Sequence, residues 1–172
     1  MGAEDLSAAL WKQRTDLELL QFRLDTQALH AGDETMAWLK ITAADIESVV
    51  ERLNMELLSC HVESAAVASL WGAPPSAPLP TLIVFAPPGV WPTLLGEHLA
   101  ELRRLYAAIQ AGSAANRLAF LRRVEAAAPK ASAPVEPDAD LAALLAGGTV
   151  ARAKAAAKST DLPLLAQYLG LA

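Results

Sequence analysis

Between Met36 and Trp71 one spacing governs what this chain can fold into. Small and apolar residues recur at alternating intervals of three and four: Met36, Leu39, Ala43, Ile46, Val50, Leu53, Leu57, Cys60, Ser64, Val67 and Trp71, with Ser64 the only polar member. Residues three and four apart share a helix face, so the pattern predicts one helix of about 54 Å with a continuous apolar seam. Such a seam must be covered along its whole length by other long helices. The fold class expected is therefore all-α: an elongated antiparallel three-helix bundle or coiled coil, with function turned towards binding rather than chemistry.

The flanking segments supply the partners. A first helix is expected after Asp5, closing at Gly32, with the stripe Leu6, Leu10, Gln13, Leu17, Leu20, Leu24 and Gln27. The short turn at Gly32 and Asp33, with Asp33 or Thr35 as the next cap, makes residues 5–71 an antiparallel hairpin. From Ser64 to Gly96 no residue is charged, and seven of the eleven prolines fall between Pro74 and Pro92. Within this connection, residues 72–91, the piece Leu79 to Phe85 reads as a short helix or an extended segment. Pro92 suits the first turn of a third helix over 92–125, whose seam is Leu95, Leu99, Leu102, Tyr106, Ile109, Ser113, Asn116 and Phe120. Asn116 on that seam is the kind of buried polar residue that fixes register.

Residues 1–125 thus form the bundle. Residues 126–137, rich in Ala and Pro, read as a flexible linker, and 138–172 as a tail of short amphipathic helices. In the tail Leu141, Leu144 and Leu145 precede a Gly147–Gly148 break. Asp161 and Pro163 then start a segment in which Leu162, Leu165, Tyr168 and Leu169 share a face. Pieces this short do not hold helical structure alone, so these leucines need a partner, either this bundle or another protein.

Charge narrows the function classes. The net charge is −5 and the isoelectric point near 5.2, so no global positive field draws a nucleic-acid backbone. Residues 1–63 carry twelve acids and five bases, net −7, against three acids and five bases over 97–125, net +2. An acidic hairpin receiving a basic third helix follows, with Arg103, Arg104, Arg117, Arg122 and Arg123 meeting hairpin acids rather than nucleic acid. Arg152, Lys154 and Lys158 are too few for stable membrane attachment. No basic leader precedes an apolar run and no stretch is apolar enough to span a bilayer, so a cytoplasmic protein is expected.

Nothing in the sequence argues for an enzyme. Cys60 is the only cysteine, and Cys60 and His61 point about 100° apart on a helix, a poor arrangement for one ion. His30, His61 and His98 show no ligand spacing, and Gly147–Gly148 lacks a phosphate-loop pattern. No metal, catalytic residue or cofactor is expected, and Cys60 reads as a small buried hydrophobe.

The order of parts is itself informative. LWKQRTDLELLQFRL at Leu10 to Leu24, AWL at Ala37 to Leu39, a long helix ending in SLWG, a proline-rich span, and WPTLLGEHLAEL leading to ANRLAFLRR resemble the FlgN family of flagellar export chaperones, especially its actinobacterial branch, over about residues 5–124. The resemblance implies a cytoplasmic chaperone of flagellar type III secretion. Such a protein holds hook-filament junction (hook-associated) proteins and delivers them to the export gate. It also implies client binding towards the C-terminus, which places partner-binding residues at Leu141, Leu144, Leu145, Leu162, Leu165, Tyr168 and Leu169. The alternative is a structural or regulatory coiled-coil protein that self-associates.

Overall fold

A computed structural model describes residues 2–31, 37–127 and 137–171, with side chains described over 2–31, 38–126 and 147–171. The chain is all-helical. Its elements are α1 (Ala3–His30), α2 (Ala37–Trp71), α3 (Leu79–Val84), α4 (Val90–Ala127), α5 (Pro137–Lys158), a 3-10 turn (Ser159–Asp161) and α6 (Pro163–Tyr168). The caps proposed at Asp33 and Thr35, and Met36 at the head of the seam, lie outside the described residues.

α1 starts earlier than expected, with Gly2 as its N-cap. Asp5 lies inside the first turn, where its Oδ2 accepts from the Gly2 backbone N–H at 2.8 Å. A carboxylate there also faces the positive end of the helix dipole. α2 runs unbroken through 35 residues. Its seam is the core: Leu39, Ala43, Ile46, Val50, Leu53, Leu57, Cys60, Ser64 and Val67 are all buried, as is the whole α1 stripe from Leu6 to Gln27. The piece left open between helix and extended segment is the helix α3, whose Leu79 and Leu82 are fully buried. α4 begins two residues before Pro92, which stays in its first turn.

Side-chain pairs fix the direction of each helix. Lys12–Glu56 and Arg23–Asp45 run α1 against α2, whereas Ser7···His98 and Asn116→Leu24 set α4 parallel to α1. The tail supplies a fourth helix, not a free appendage. Arg152 pairs with Glu47 of α2, and Ser113 of α4 donates to the carbonyl of Ala157, so α5 lies in the groove between α2 and α4. Val150 and Ala153 close one end with Ala31, Leu39 and Phe120, while Ala156, Leu162, Leu165, Tyr168 and Leu169 join the main core. The expected three-helix bundle is in fact a four-cornered one, α1–α2–α5–α4, and the α5 corner is built on alanines. The small Cβ of Ala153, Ala156 and Ala157 lets the helix axes approach closely, which a leucine-rich seam would prevent.

The core amides of Gln27 and Asn116 are matched, whereas Asp16 Oδ2 is buried without a hydrogen-bond partner among the described residues. Asn116 Nδ2 donates to the Leu24 carbonyl at 2.9 Å and to Gln27 Oε1 at 3.1 Å, and Gln27 Nε2 reaches the Ala153 carbonyl at 3.4 Å. This chain ties α1, α4 and α5 at one level and selects one register, because a shift of one turn leaves buried amides unpaired. Beside it the approach is close: a Cβ on Gly112 would touch that of Leu24 at 4.0 Å.

Candidate protein-binding surfaces

The tail residues expected to await a partner fall into two groups. Leu141, Leu144 and Leu145 lie outside the residues whose side chains are described. Leu162, Leu165, Tyr168 and Leu169 are all at or below 4% exposure, so for these four the partner is this bundle. What holds them is a ladder of donors along α4 at the spacing of one helix face. Ser113 donates to the Ala157 carbonyl, Gln110 Nε2 to that of Thr160 at 2.8 Å, and Tyr106 Oη to that of Asp161 at 3.1 Å. Arg103 grips the Leu169 carbonyl through Nε and Nη2 at 3.0 and 2.7 Å. Arg117 adds an ion pair to Asp161. Carbonyls at helix C-termini lack intrahelical donors, and burying them without partners is costly. The α4 ladder removes that cost for α5, the 3-10 turn and α6 together.

The same contacts correct the charge reading of α4. Arg103 and Arg117 hold the tail, Arg104 pairs with Glu101 of its own helix, and Arg123 Nη1 donates to the Ala31 carbonyl at 2.6 Å. Among the described residues, the ion pairs of the hairpin acids are made by Lys12, Arg14, Arg23 and Arg52 of the hairpin itself and by Arg152 of the tail. Glu51 makes no ion pair among the described residues and stays exposed.

At the joint between α2 and α6, Tyr168 Oη shares a 2.8 Å hydrogen bond with Ser64 Oγ, and the ring meets His61 edge-on at 5.0 Å. One turn before Ser64, Cys60 donates to Gln13 Oε1 at 3.1 Å. Burial, reinforced by Glu56 and Glu63, pushes its thiol up to about 12. Such a thiol is unionised at neutral pH and inert as a nucleophile. A cleft of about 300 Å³ opens beside α6, lined by His61, Ser76, Pro78, Gln167, Tyr168 and Gly170. Its titratable side chains are His61 and Tyr168, and the Tyr168 hydroxyl is committed to Ser64, so the cleft assembles no acid–base pair. At the opposite edge of α1, His98 is buried against Ser7 at 3.1 Å and Trp11 at 5.2 Å between rings. Burial first, then Arg14, lowers its pKa.

Apolar surface is where the molecule is unusual. The outward face of α2 carries Ile41, Ala44, Ser48, Glu51, Met55, Leu58, Val62, Ala65 and Ser69, again spaced by threes and fours. Met55 is 61% exposed, and Leu58 and Val62 are each 56% exposed. From Met55 onward this face holds no charge and two hydroxyls, those of Ser59 and Ser69, and it ends at Leu70, itself exposed. The run from α3 into α4 continues in kind: Val84, Phe85 and Val90 are exposed amid Pro87, Pro88 and Gly89. In the sequence the inner seam masks the outer one. The signal was there, since α2 is apolar on two opposite faces, a pattern that belongs to a helix covered on both sides. Among the described helices none is long and apolar enough to cross a membrane. In comparisons with known proteins, no family model, curated protein or solved structure matches the chain.

Proposed function

We propose that the chain is a protein-binding chaperone of flagellar type III export, which holds hook-associated proteins in the cytoplasm and hands them to the export gate. The reading draws on the order of helical and proline-rich parts that resembles the FlgN family. The observation that carries its physical side is the exposed outer stripe of α2. Met55, Leu58, Val62 and Leu70 are among the large apolar side chains left in solvent and lie together along α2, and a contiguous exposed apolar face marks a surface used for association. Release is built into such a surface, because a single helix face gives moderate affinity rather than permanent assembly. With Leu162, Leu165, Tyr168 and Leu169 in the core, these four are not available to a client in this state, and we assign capture to the bundle face.

The test is co-expression of the full chain with each hook-filament junction protein, followed by co-purification and sizing of the complex. A stoichiometric complex that keeps the client from aggregating supports the proposal; a client that aggregates equally with and without the chain opposes it. The second reading, a self-associating helical scaffold, is favoured by the same outer stripe and predicts a dimer by sedimentation in the absence of any client.

A further inference from the structure

Resting on the reading of the chain as a protein-binding module, we infer that the outer face of α2 from Glu51 to Leu70 docks one amphipathic α-helix whose apolar stripe is flanked by Lys or Arg. Three observations specify that occupant. The first is spacing: Met55, Leu58, Val62, Ala65 and Ser69 repeat by three and four, the register in which one helix receives another. Over Met55 to Ser69 the face is about 21 Å long, so the complementary helix spans about four turns. The second is shape. The large side chains Met55, Leu58 and Val62 give way to the small Ala65 and Ser69 before the exposed Leu70, so the partner's bulky residues fit over Ala65 to Ser69.

The third is charge, which also decides against a second copy of this chain. α2 carries Asp45, Glu47, Glu51, Glu56 and Glu63 against Lys40 and Arg52. Arg52 is held by Asp16 at 2.6 Å, Lys12 neutralises Glu56 and Arg152 neutralises Glu47. Asp45 is paired with Arg23, so Glu51 and Glu63 remain without an ion pair among the described residues; Glu63 is half-buried with its Oε2 unpartnered, while Glu51 is exposed at the head of the apolar stretch one turn before Met55. Two such hairpins, each with net −6 over residues 5–71, repel face to face, whereas a helix with basic flanks gains at Glu51 and from the surrounding field.

The probe is a pair of synthetic helices of about 18 residues, held helical by a side-chain staple, with the same leucine stripe flanked by Lys in one and by Glu in the other. Binding to the full chain is measured by calorimetry. The inference expects one Lys-flanked helix per chain, with the Glu-flanked helix weaker by about tenfold or more. Met55→Ser, Leu58→Ser and Val62→Ser combined should abolish binding. These side chains are exposed, so an unchanged melting temperature will certify the fold. Glu51→Lys should weaken the Lys-flanked helix and strengthen the Glu-flanked one. Equal binding of both helices, or unchanged binding by the triple variant, overturns the inference. So does a dimer of the free chain that the triple variant dissolves, since the face then belongs to a second copy. The same triple variant separates the two readings. If it still holds hook-associated clients, the docking face is wrong and the chaperone proposal stands. If the wild type binds the Lys-flanked helix but no such client, the docking face stands and the chaperone proposal falls.

Discussion

Replacing Leu169 by Ala tests whether the tail is part of the folded core. Leu169 is fully buried and sits in the main core cluster with Leu162, Leu165 and Tyr168, and its carbonyl is held by Arg103 through two hydrogen bonds. The substitution removes three carbons, about 2.4 kcal/mol at roughly 0.8 kcal/mol per buried methylene. The cavity left behind brings the expected loss to about 3 kcal/mol, within the roughly 2–5 kcal/mol seen for Leu→Ala in cores. For a chain of 172 residues that corresponds to a fall in Tm of about 6–12 °C, at roughly 2–4 °C per kcal/mol. Leu164, 55% exposed on the same short helix, is the control, and its change to Ala should cost under about 0.5 kcal/mol. The assay is thermal and urea unfolding followed by far-UV circular dichroism, with limited proteolysis of the tail in parallel. If Leu169→Ala leaves Tm within a degree of wild type while the wild-type tail is cut as fast as an unfolded peptide, the tail is not docked and the four-cornered bundle is wrong.

Four further outcomes follow from the same packing. Leu53→Asp, at a position 2% exposed in the middle of the α2 seam, should abolish cooperative unfolding, because a carboxylate would sit where only apolar groups are available. Gly170 has φ +68, and a Cβ there would meet Pro80 Cγ at 2.9 Å and Arg103 Nη2 at 3.3 Å. Gly170→Ala should therefore cost about 1–2 kcal/mol from the left-handed backbone alone, read as a lower urea midpoint. The lowered pKa of His98 means that the folded state favours neutral imidazole. Its contribution is complete above the unfolded value of about 6.5 and is lost as pH falls through the lower folded value; in urea titrations from pH 8 to 5, His98→Gln should flatten that part of the decline. The thiol of Cys60, buried and raised to about 12, should react with a disulfide reagent at pH 8 only at the rate of unfolding; reaction at the rate of a free thiol would contradict its placement in the core.

Much of this fold was legible because its signals were large apolar side chains at regular spacing. The inner seam of α2 and the α1 stripe needed only Leu, Ile and Val at the right intervals, and the polar members Gln13, Gln27 and Asn116 are buried where the spacing put them. The docking of the tail was not legible, for two physical reasons. Its own seam, Val150, Ala153, Ala156, Ala157 and Thr160, is made of residues too small to register as a core, although small size is what brings α5 close. Its receptor on α4 mixes Tyr106 and Ser113, which read as seam residues, with Arg103 and Arg117, which read as partners of hairpin acids, and with Gln110; all five serve the tail, four of them through its backbone carbonyls. Polar side chains recurring by threes and fours beside an apolar seam are a signal for such a ladder. The outer stripe of α2 was visible too, but it interleaves with a stronger inner one, and a single helix was credited with a single face.

The most direct test of the central claim, that this bundle binds another protein's helix through α2, is calorimetric titration of a purified hook-filament junction protein into the wild-type chain and into the Met55→Ser, Leu58→Ser, Val62→Ser variant. The account predicts a one-to-one complex with the wild type and, at equal Tm, none with the variant. Identical isotherms for the two would contradict it, and no heat of binding with the wild type for any junction protein would contradict the chaperone reading on which it rests.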